Sequence, residues 1–191
     1  MTRDLTTGKV SRVIITFSLP LLLSTILQQF YNIADSMIVG RFSGEAGLAA
    51  IGAAYPITLF FVAISTGASM GCSIIISQLF GAGKLDRLKR AASTSLISFA
   101  VFGIILSAVG ILLSGLLMHL LNAKQDIFSN AKAYLAIYAA GVLPMLIYNA
   151  CNGIFTGLGD SRLPLYLLCI SSVLNVILDY IAVKILGWGV I

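Results

Sequence analysis

Two aspartates, Asp35 and Asp179, each interrupt a long apolar run of the sequence. An ionised carboxylate costs several kcal/mol at membrane depth, so such an acid normally faces a cavity or a partner and marks a pathway. Polar residues precede both acids at steps of three and four, the spacing of one helix face. These residues are Ser24, Gln28, Tyr31 and Asn32 before the first acid and Ser171 and Asn175 before the second. Both stripes are therefore expected to face the inside of a helix bundle.

The two carboxylates are also expected at a common depth, in the outer half of the bilayer, because both helices run outward at about 1.5 Å per residue. Together with the amide of Asn175 they offer oxygen atoms that a hard cation prefers, and a carboxylate can instead take up a proton. We predict a site for a hard cation or a proton at Asp35, Asn175 and Asp179. The alternative is that each acid only bonds a neighbouring helix.

Further polar and aromatic residues lie in another apolar stretch, 133–159, where Tyr138 and Tyr148 accompany two asparagines. Aromatic rings and amides suit small amphiphilic, cationic substrates through cation–π contacts and hydrogen bonds. Tyrosine is also common in membrane-interface belts, which leaves Tyr134 open between the two roles. The predicted substrate cavity comprises Gln28, Tyr31, Asn32, Tyr134, Asn149 and Asn152.

The composition places the chain in a lipid bilayer. Hydrophobic residues make up 59% of the 191 positions and charged residues 10%, and the mean hydropathy is +1.01. Soluble domains carry roughly 25% charged residues. The net charge of +5 is too dispersed to favour a nucleic-acid partner. The sequence contains no Ser-His-Asp arrangement and no metal-ligand cluster of the kind that would indicate an enzyme. The three cysteines are far apart in apolar stretches.

Apolar runs predict an all-α, polytopic transmembrane helix bundle of about five spans. The predicted helices are 13–40, 48–80, 91–118, 127–156 and 163–185. The second apolar run, 48–80, is long enough for one span or for a hairpin. With one span there, eight of the twelve Lys and Arg residues fall on the same side of the membrane as the N-terminus, whereas a hairpin would divide them six to six. The excess favours the single span and a cytoplasmic N-terminus. The patterns "GASMG" (67–71) and "GIFTG" (153–157) predict close helix packing.

The chain ends on "GWGVI" after an odd number of spans, where a new apolar run begins. We therefore expect residues 1–191 to be the N-terminal lobe of a longer protein, truncated before a sixth helix.

Two aspartates in membrane spans also suggest an intramembrane aspartyl protease, and "GLGD" (157–160) resembles the Gly-x-Gly-Asp motif of that class. However, Asp160 falls in a turn and the companion Tyr-Asp order is missing, so the protease is disfavoured.

Several motifs in combination resemble the multidrug and toxic compound extrusion (MATE) family. The stretch "FSLPLLLSTILQQFYNIADSMIVGRFSG" (17–44) is similar to that family's first helix and following loop. "GAAYPI", "GASMG" and "SQLFGAGK" are similar to its second helix and cytoplasmic loop. "NGIFTGLGDSRLPL" (152–165) and "LNVILDYIAV" (174–183) resemble the end of helix four and helix five. The resemblance covers nearly the whole chain.

The resemblance implies a twelve-span, two-lobe antiporter of the plasma (inner) membrane that takes Na⁺ or H⁺ inward and sends drugs or organic cations outward. It implies no cofactor beyond that coupling ion. The family's ion or proton site matches Asp35, Asn175 and Asp179, and its second lobe would be a missing partner of this chain. Many relatives place proline after the helix-five aspartate, whereas Tyr180 stands here, which puts proton-driven bending at that point in doubt. The alternative is a lipid-linked saccharide flippase of the same superfamily, which would line its cavity with arginines.

Overall fold

A computed structural model of the protein describes residues 10–42 and 44–181, and this part of the chain is almost entirely helical. Its helices are α1 (Val10–Phe42), α2 (Gly44–Gly81), α3 (Leu85–Leu120), α4 (Gln125–Ala140), α5 (Val142–Gly157) and α6 (Arg162–Tyr180). The second apolar stretch forms one unbroken helix. The end of the predicted helix 163–185 lies outside the described residues.

Three of the helices, α1 to α3, are long and apolar enough to cross a membrane. The pair α4 and α5 passes the same test as a single bent span, which makes up to four spans in the described part of the chain. The apolar part of α6, Arg162–Leu178, is shorter. The fold is therefore a bundle of apolar helices, as the sequence predicts.

The predicted helix 127–156 is broken at Gly141 into α4 and α5, whose axes differ by 42°. Pro144 has no N–H to give to the carbonyl of Ala140, four residues earlier, so one bond of the helical ladder is lost. At the end of α4 the N–H of Gly141 still donates to the carbonyls of Ile137 and Tyr138, at 3.2 and 3.0 Å. Pro144 lies inside the predicted helix 127–156, for which no bend was predicted.

Helices α2 to α5 form the packed body of the molecule. All the buried hydrophobic side chains of the described chain, Pro164 excepted, lie on these four helices. The closest approach is between α2 and α5, where an added Cβ would lie 2.6 Å from the carbonyl oxygen of Ser69 at Gly153 and 2.7 Å from that of Ser73 at Gly157. The "GIFTG" pattern therefore marks real close packing, whereas Gly67 has open space around its Cα.

Helices α1 and α6 pack mainly against each other. A smaller contact joins α1 to α2, and α6 touches α5 at only a few positions. The α1–α6 pair thus lies beside the packed body with a gap between them, and this gap is where the polar residues gather.

A capping interaction fixes the start of α6. The carboxylate oxygen Oδ1 of Asp160 accepts hydrogen bonds from the backbone N–H groups of Arg162 and Leu163, both at 3.1 Å. Partial burial is the largest single influence on the Asp160 carboxyl and raises its pKa. The two hydrogen bonds and further contacts that stabilise the charged form together outweigh it. The pKa of Asp160 therefore lies below its ordinary value, because the hydrogen bonds favour the charged form.

Candidate functional site: a polar cavity between two helix groups

A cavity of about 520 Å³ lies between the α1–α6 pair and the packed body. This volume is within the range of small-molecule sites, roughly 300–1,000 Å³. Five helices line it, and four of the six predicted cavity residues are among the lining side chains. Those four are Gln28, Tyr31, Asn149 and Asn152.

The α1 side of the cavity carries Ser24, Gln28 and Tyr31, three members of the predicted polar stripe. The hydroxyl of Ser24 donates to the carbonyl oxygen of Pro20 at 2.9 Å, so its donor is used within the helix. The side chain of Gln28 is exposed and has no hydrogen-bond partner among the described residues, so its amide can meet a solute. The stripe therefore does face the gap between the helix groups, as its spacing predicts.

The α5 side presents two asparagines held in different ways. The Nδ2 amide of Asn149 donates to the carbonyl of Met145 at 2.9 Å, and the backbone carbonyl of Asn149 accepts a hydrogen bond of 2.6 Å from the hydroxyl of Ser69 on α2. Asn152 accepts only a long contact from Thr156, at 3.4 Å. Asn149 is thus fixed to the packed body, while the amide of Asn152 keeps most of its hydrogen-bonding capacity.

The α6 side holds the least satisfied polar groups of the cavity. The oxygen Oδ1 of Asn175 and the hydroxyl of Ser172 are buried and have no hydrogen-bond partner among the described residues. An amide oxygen can only accept, and the backbone N–H groups of a helix are already used by its own ladder. Asn175 therefore offers a free acceptor to a cation, a water molecule or a protonated group in the cavity.

The side chains of Asp35 and Asp179 lie outside the part of the structure that is described. Their backbone positions are on α1 and α6, and each comes four residues after a cavity-lining residue, Tyr31 or Asn175. One helical turn advances about 5.4 Å. Both positions therefore fall one turn beyond lining residues on the two helices that pack together.

Two predicted cavity residues do not line the cavity. Asn32 is exposed and its amide donates to Oε1 of Gln29 at 3.2 Å. Tyr134 packs against the buried core of the bundle, with its ring 6.2 Å from that of Tyr138. Of these tyrosines it is Tyr138 that reaches the cavity, together with Tyr148.

Other lining residues carried no clear signal in the sequence. Thr66 and Val62 come from α2, for which no site residue was predicted, and Met145 follows the break in the fourth span. Ser172 is different, since it lies three residues before Asn175 and so falls on the same helix face. The helical spacing could have identified Ser172, whereas Thr66 needed the three-dimensional packing.

No charged side chain lines the cavity within the described part of the chain. Its surface is made of amides, hydroxyls and tyrosine rings between apolar side chains. Such a surface can hold an amphiphilic molecule by apolar contact, orient it with a few hydrogen bonds and place a cation against a ring face. These features define a multi-pass helical membrane protein with a polar internal cavity.

The chain belongs to the MatE family, whose sequence profile matches residues 20–181. It is 31% identical over 171 residues to the probable multidrug resistance protein YoeA of Bacillus subtilis, covering 90% of this chain and 36% of that protein. It is 26% identical over 175 residues to the FAD transporter of Shewanella oneidensis, covering 92% of this chain and 38% of that one. The chain thus spans about two fifths of the length of these relatives.

Solved structures agree with this assignment. A multidrug resistance MATE family transporter of the MOP superfamily, in an outward-facing conformation, superposes with a TM-score of 0.91 at 28% identity. A MOP superfamily transporter from Pyrococcus furiosus, described by the reverse polarity of its binding pocket, gives the same two values. Each match covers 97% of this chain and 41% of the other. The described helices therefore have the arrangement of part of a MATE transporter.

Proposed function

We propose that this chain forms the N-terminal lobe of a secondary multidrug efflux antiporter, which exchanges Na⁺ or H⁺ for small amphiphilic, cationic substrates. The observation that carries the proposal is the cavity between the α1–α6 pair and the packed body. Five helices line it, four of them contribute amides or tyrosines, and it ends one turn before two aspartate positions. The names of relatives, several of which are multidrug resistance proteins, support the efflux of drugs.

In this proposal Asp35, Asn175 and Asp179 bind the coupling ion or proton. The free acceptor of Asn175 supports that role, since a bare amide oxygen beside a carboxylate suits Na⁺ and equally suits a protonated acid. Binding of a positive charge neutralises the carboxylates and lowers the cost of burying them. That difference shifts the balance between two conformations and gives alternating access.

Substrate binds on the uncharged part of the cavity in this account. Tyr31, Tyr138 and Tyr148 offer ring faces, and Gln28 and Asn152 offer amide groups with unused hydrogen-bonding capacity. A few polar contacts on an apolar surface allow many related molecules to bind with moderate affinity. This composition favours broad recognition rather than one tightly matched ligand.

We also propose that the N-terminus lies in the cytoplasm, that the protein resides in the plasma (inner) membrane, and that a second lobe completes the cavity. The excess of basic residues on the N-terminal side supports this orientation. The lengths of the relatives support the second lobe, because the chain covers 41% of the solved transporters it superposes on.

A lipid-linked saccharide flippase is disfavoured by the same cavity. A flippase for a phosphate-bearing lipid would need basic side chains to hold the phosphate. Arginine and lysine are absent from the cavity lining that the structure describes. The lining instead suits cationic or neutral cargo.

The test is transport by the complete protein that contains this chain, reconstituted into vesicles. Ethidium serves as the organic cation, and either a proton gradient in sodium-free buffer or a sodium gradient is imposed. We expect one of the two gradients to drive ethidium against its concentration gradient, which also identifies the coupling ion. Ethidium movement that neither gradient drives would contradict ion-coupled antiport.

A further inference from the structure

Four basic residues crowd the turn and first helical residues where α3 begins: Lys84, Arg87, Lys89 and Arg90. All four side chains are exposed, and none forms an ion pair or hydrogen bond with another residue of the described chain. The one acid among them is Asp86. We call these four residues the basic cluster. Within the described residues its positive charge is therefore not paired with an acid, and Asp86 offsets only part of it.

The basic cluster stands at the head of an exposed apolar stripe. Arg87, Arg90, Ile97, Val101 and Ile104 follow one another at helical spacing and so share one face of α3. The three apolar side chains of this stripe are 65%, 53% and 58% exposed. The first two lie about 10 and 16 Å from Arg90 along the helix, since the rise is about 1.5 Å per residue. One leaflet of hydrocarbon is about 15 Å thick, half of the bilayer core.

This face of α3 lies on the periphery of the bundle. Helix α3 packs against α2, α4 and α5, has no contact with the described parts of α1 and α6, and contributes no residue to the cavity. The basic cluster and the apolar stripe are therefore separate from the transport site. Their position suits a ligand that approaches from the lipid.

We propose that the basic cluster and the apolar stripe bind one anionic phospholipid. Its phosphate lies between Arg87 and Arg90, and an acyl chain follows Ile97 and Val101. Guanidinium groups match the geometry of a phosphate and can donate two hydrogen bonds each. The N-terminus of α3 has no side-chain cap. The N–H of Leu85 donates to the carbonyl of Gly83, but those of Asp86 and Arg87 have no backbone acceptor among the described residues and add donors for the anion. A soluble anion would use the arginines but would leave the apolar stripe uncovered.

The proposal depends on α3 spanning the bilayer and not on transport, so the two can fail separately. The test uses native mass spectrometry of the complete protein with added phosphatidylglycerol or phosphatidylcholine. We expect the protein to bind the first phosphatidylglycerol more tightly than phosphatidylcholine. Because each basic residue near an anionic surface contributes about a fivefold factor, the double variant R87Q/R90Q should bind phosphatidylglycerol at least tenfold more weakly. Binding of phosphatidylcholine should not change.

The matched control is K124Q/K132Q, which removes the same charge near the opposite end of α3 and should keep the wild-type affinity. Equal phosphatidylglycerol affinity in R87Q/R90Q and the wild type would overturn the proposal. An equal loss in the control would also overturn it, since the effect would then follow net charge alone. Displacement of the lipid by a similar concentration of inorganic phosphate would show an anion site without a lipid site. A melting temperature equal to that of the wild type confirms that each variant is folded.

Discussion

The packed body and the α1–α6 pair are built from helices of similar composition but differ in how they are held. In the packed body, α2 and α5 touch at glycines, and a hydroxyl of Ser69 ties them together. In the α1–α6 pair, Pro164 is the one buried apolar residue among those described. The packed body therefore depends on shape complementarity between its helices, whereas the α1–α6 pair depends on open space around it.

Buried polar groups without a hydrogen-bond partner also differ between the packed body and the α1–α6 pair. Buried hydroxyls without a hydrogen-bond partner among the described residues occur in both parts, at Ser65 and Ser107 as well as Ser172. A hydroxyl can rotate toward a carbonyl of its own helix, so these three cost little. The amide oxygen of Asn175 has no such escape, and a buried polar atom left unsatisfied costs about 1–3 kcal/mol. A cost of this kind is typical of functional sites.

The largest effect on stability is expected from adding a methyl group between α2 and α5. Gly153→Ala would place Cβ 2.6 Å from the backbone oxygen of Ser69, which a rigid helix cannot easily relieve. We expect overpacking to lower the stability by about 1–3 kcal/mol or more, seen as a lower melting temperature in detergent. Gly71→Ala is the control, because its Cβ would meet no atom within 4 Å. Equal melting temperatures for the two variants would contradict the close contact.

A second variant should have the opposite effect: transport should fall while the stability is kept. Asn175→Leu removes an oxygen that has no partner, so the melting temperature should stay the same or rise. Loss of one ligand worth about 1.4 kcal/mol should lower gradient-driven ethidium transport about tenfold. Transport is measured in vesicles and stability in detergent. A large fall in the melting temperature with transport intact would assign Asn175 to packing instead.

The smallest effect concerns the capping carboxylate of α6. Asp160→Asn keeps an acceptor oxygen but loses its charge, so the stability at neutral pH should fall by less than about 1 kcal/mol. Because the folded pKa of Asp160 lies below its ordinary value, its contribution is full above the unfolded pKa and is lost as the pH falls through the folded pKa. The difference in melting temperature between variant and wild type should therefore shrink below about pH 4. A difference that stays constant with pH would show that the charge is irrelevant.

Much of this arrangement follows from local sequence rules. Apolar length identifies the helices, and steps of three and four predict that Gln28 and Tyr31 share a face. Both rules depend only on helical geometry, which neighbouring helices rarely change. The prediction that Asp35 and Asp179 bind the ion stays a prediction.

Features that depend on contacts between helices were harder to predict. Gly67 and Gly153 belong to the same kind of small-residue pattern, yet of the two only Gly153 meets another helix. Asn32 and Tyr134 satisfied the spacing or composition rules but lie beside the cavity rather than in it. A helix face is wider than a cavity, and the neighbouring helices decide which of its residues are covered. Thr66 shows the converse, since packing alone brings it to the cavity.

The central claim is that the carboxylates couple ion movement to transport without being needed to bind substrate. The most direct measurement compares wild type and Asp179→Asn in the complete protein, with ethidium binding measured by fluorescence and gradient-driven ethidium transport measured in vesicles. The account predicts that the variant still binds ethidium and that its gradient-driven transport falls to the level of empty vesicles. Gradient-driven transport at the wild-type rate in this variant would contradict the account.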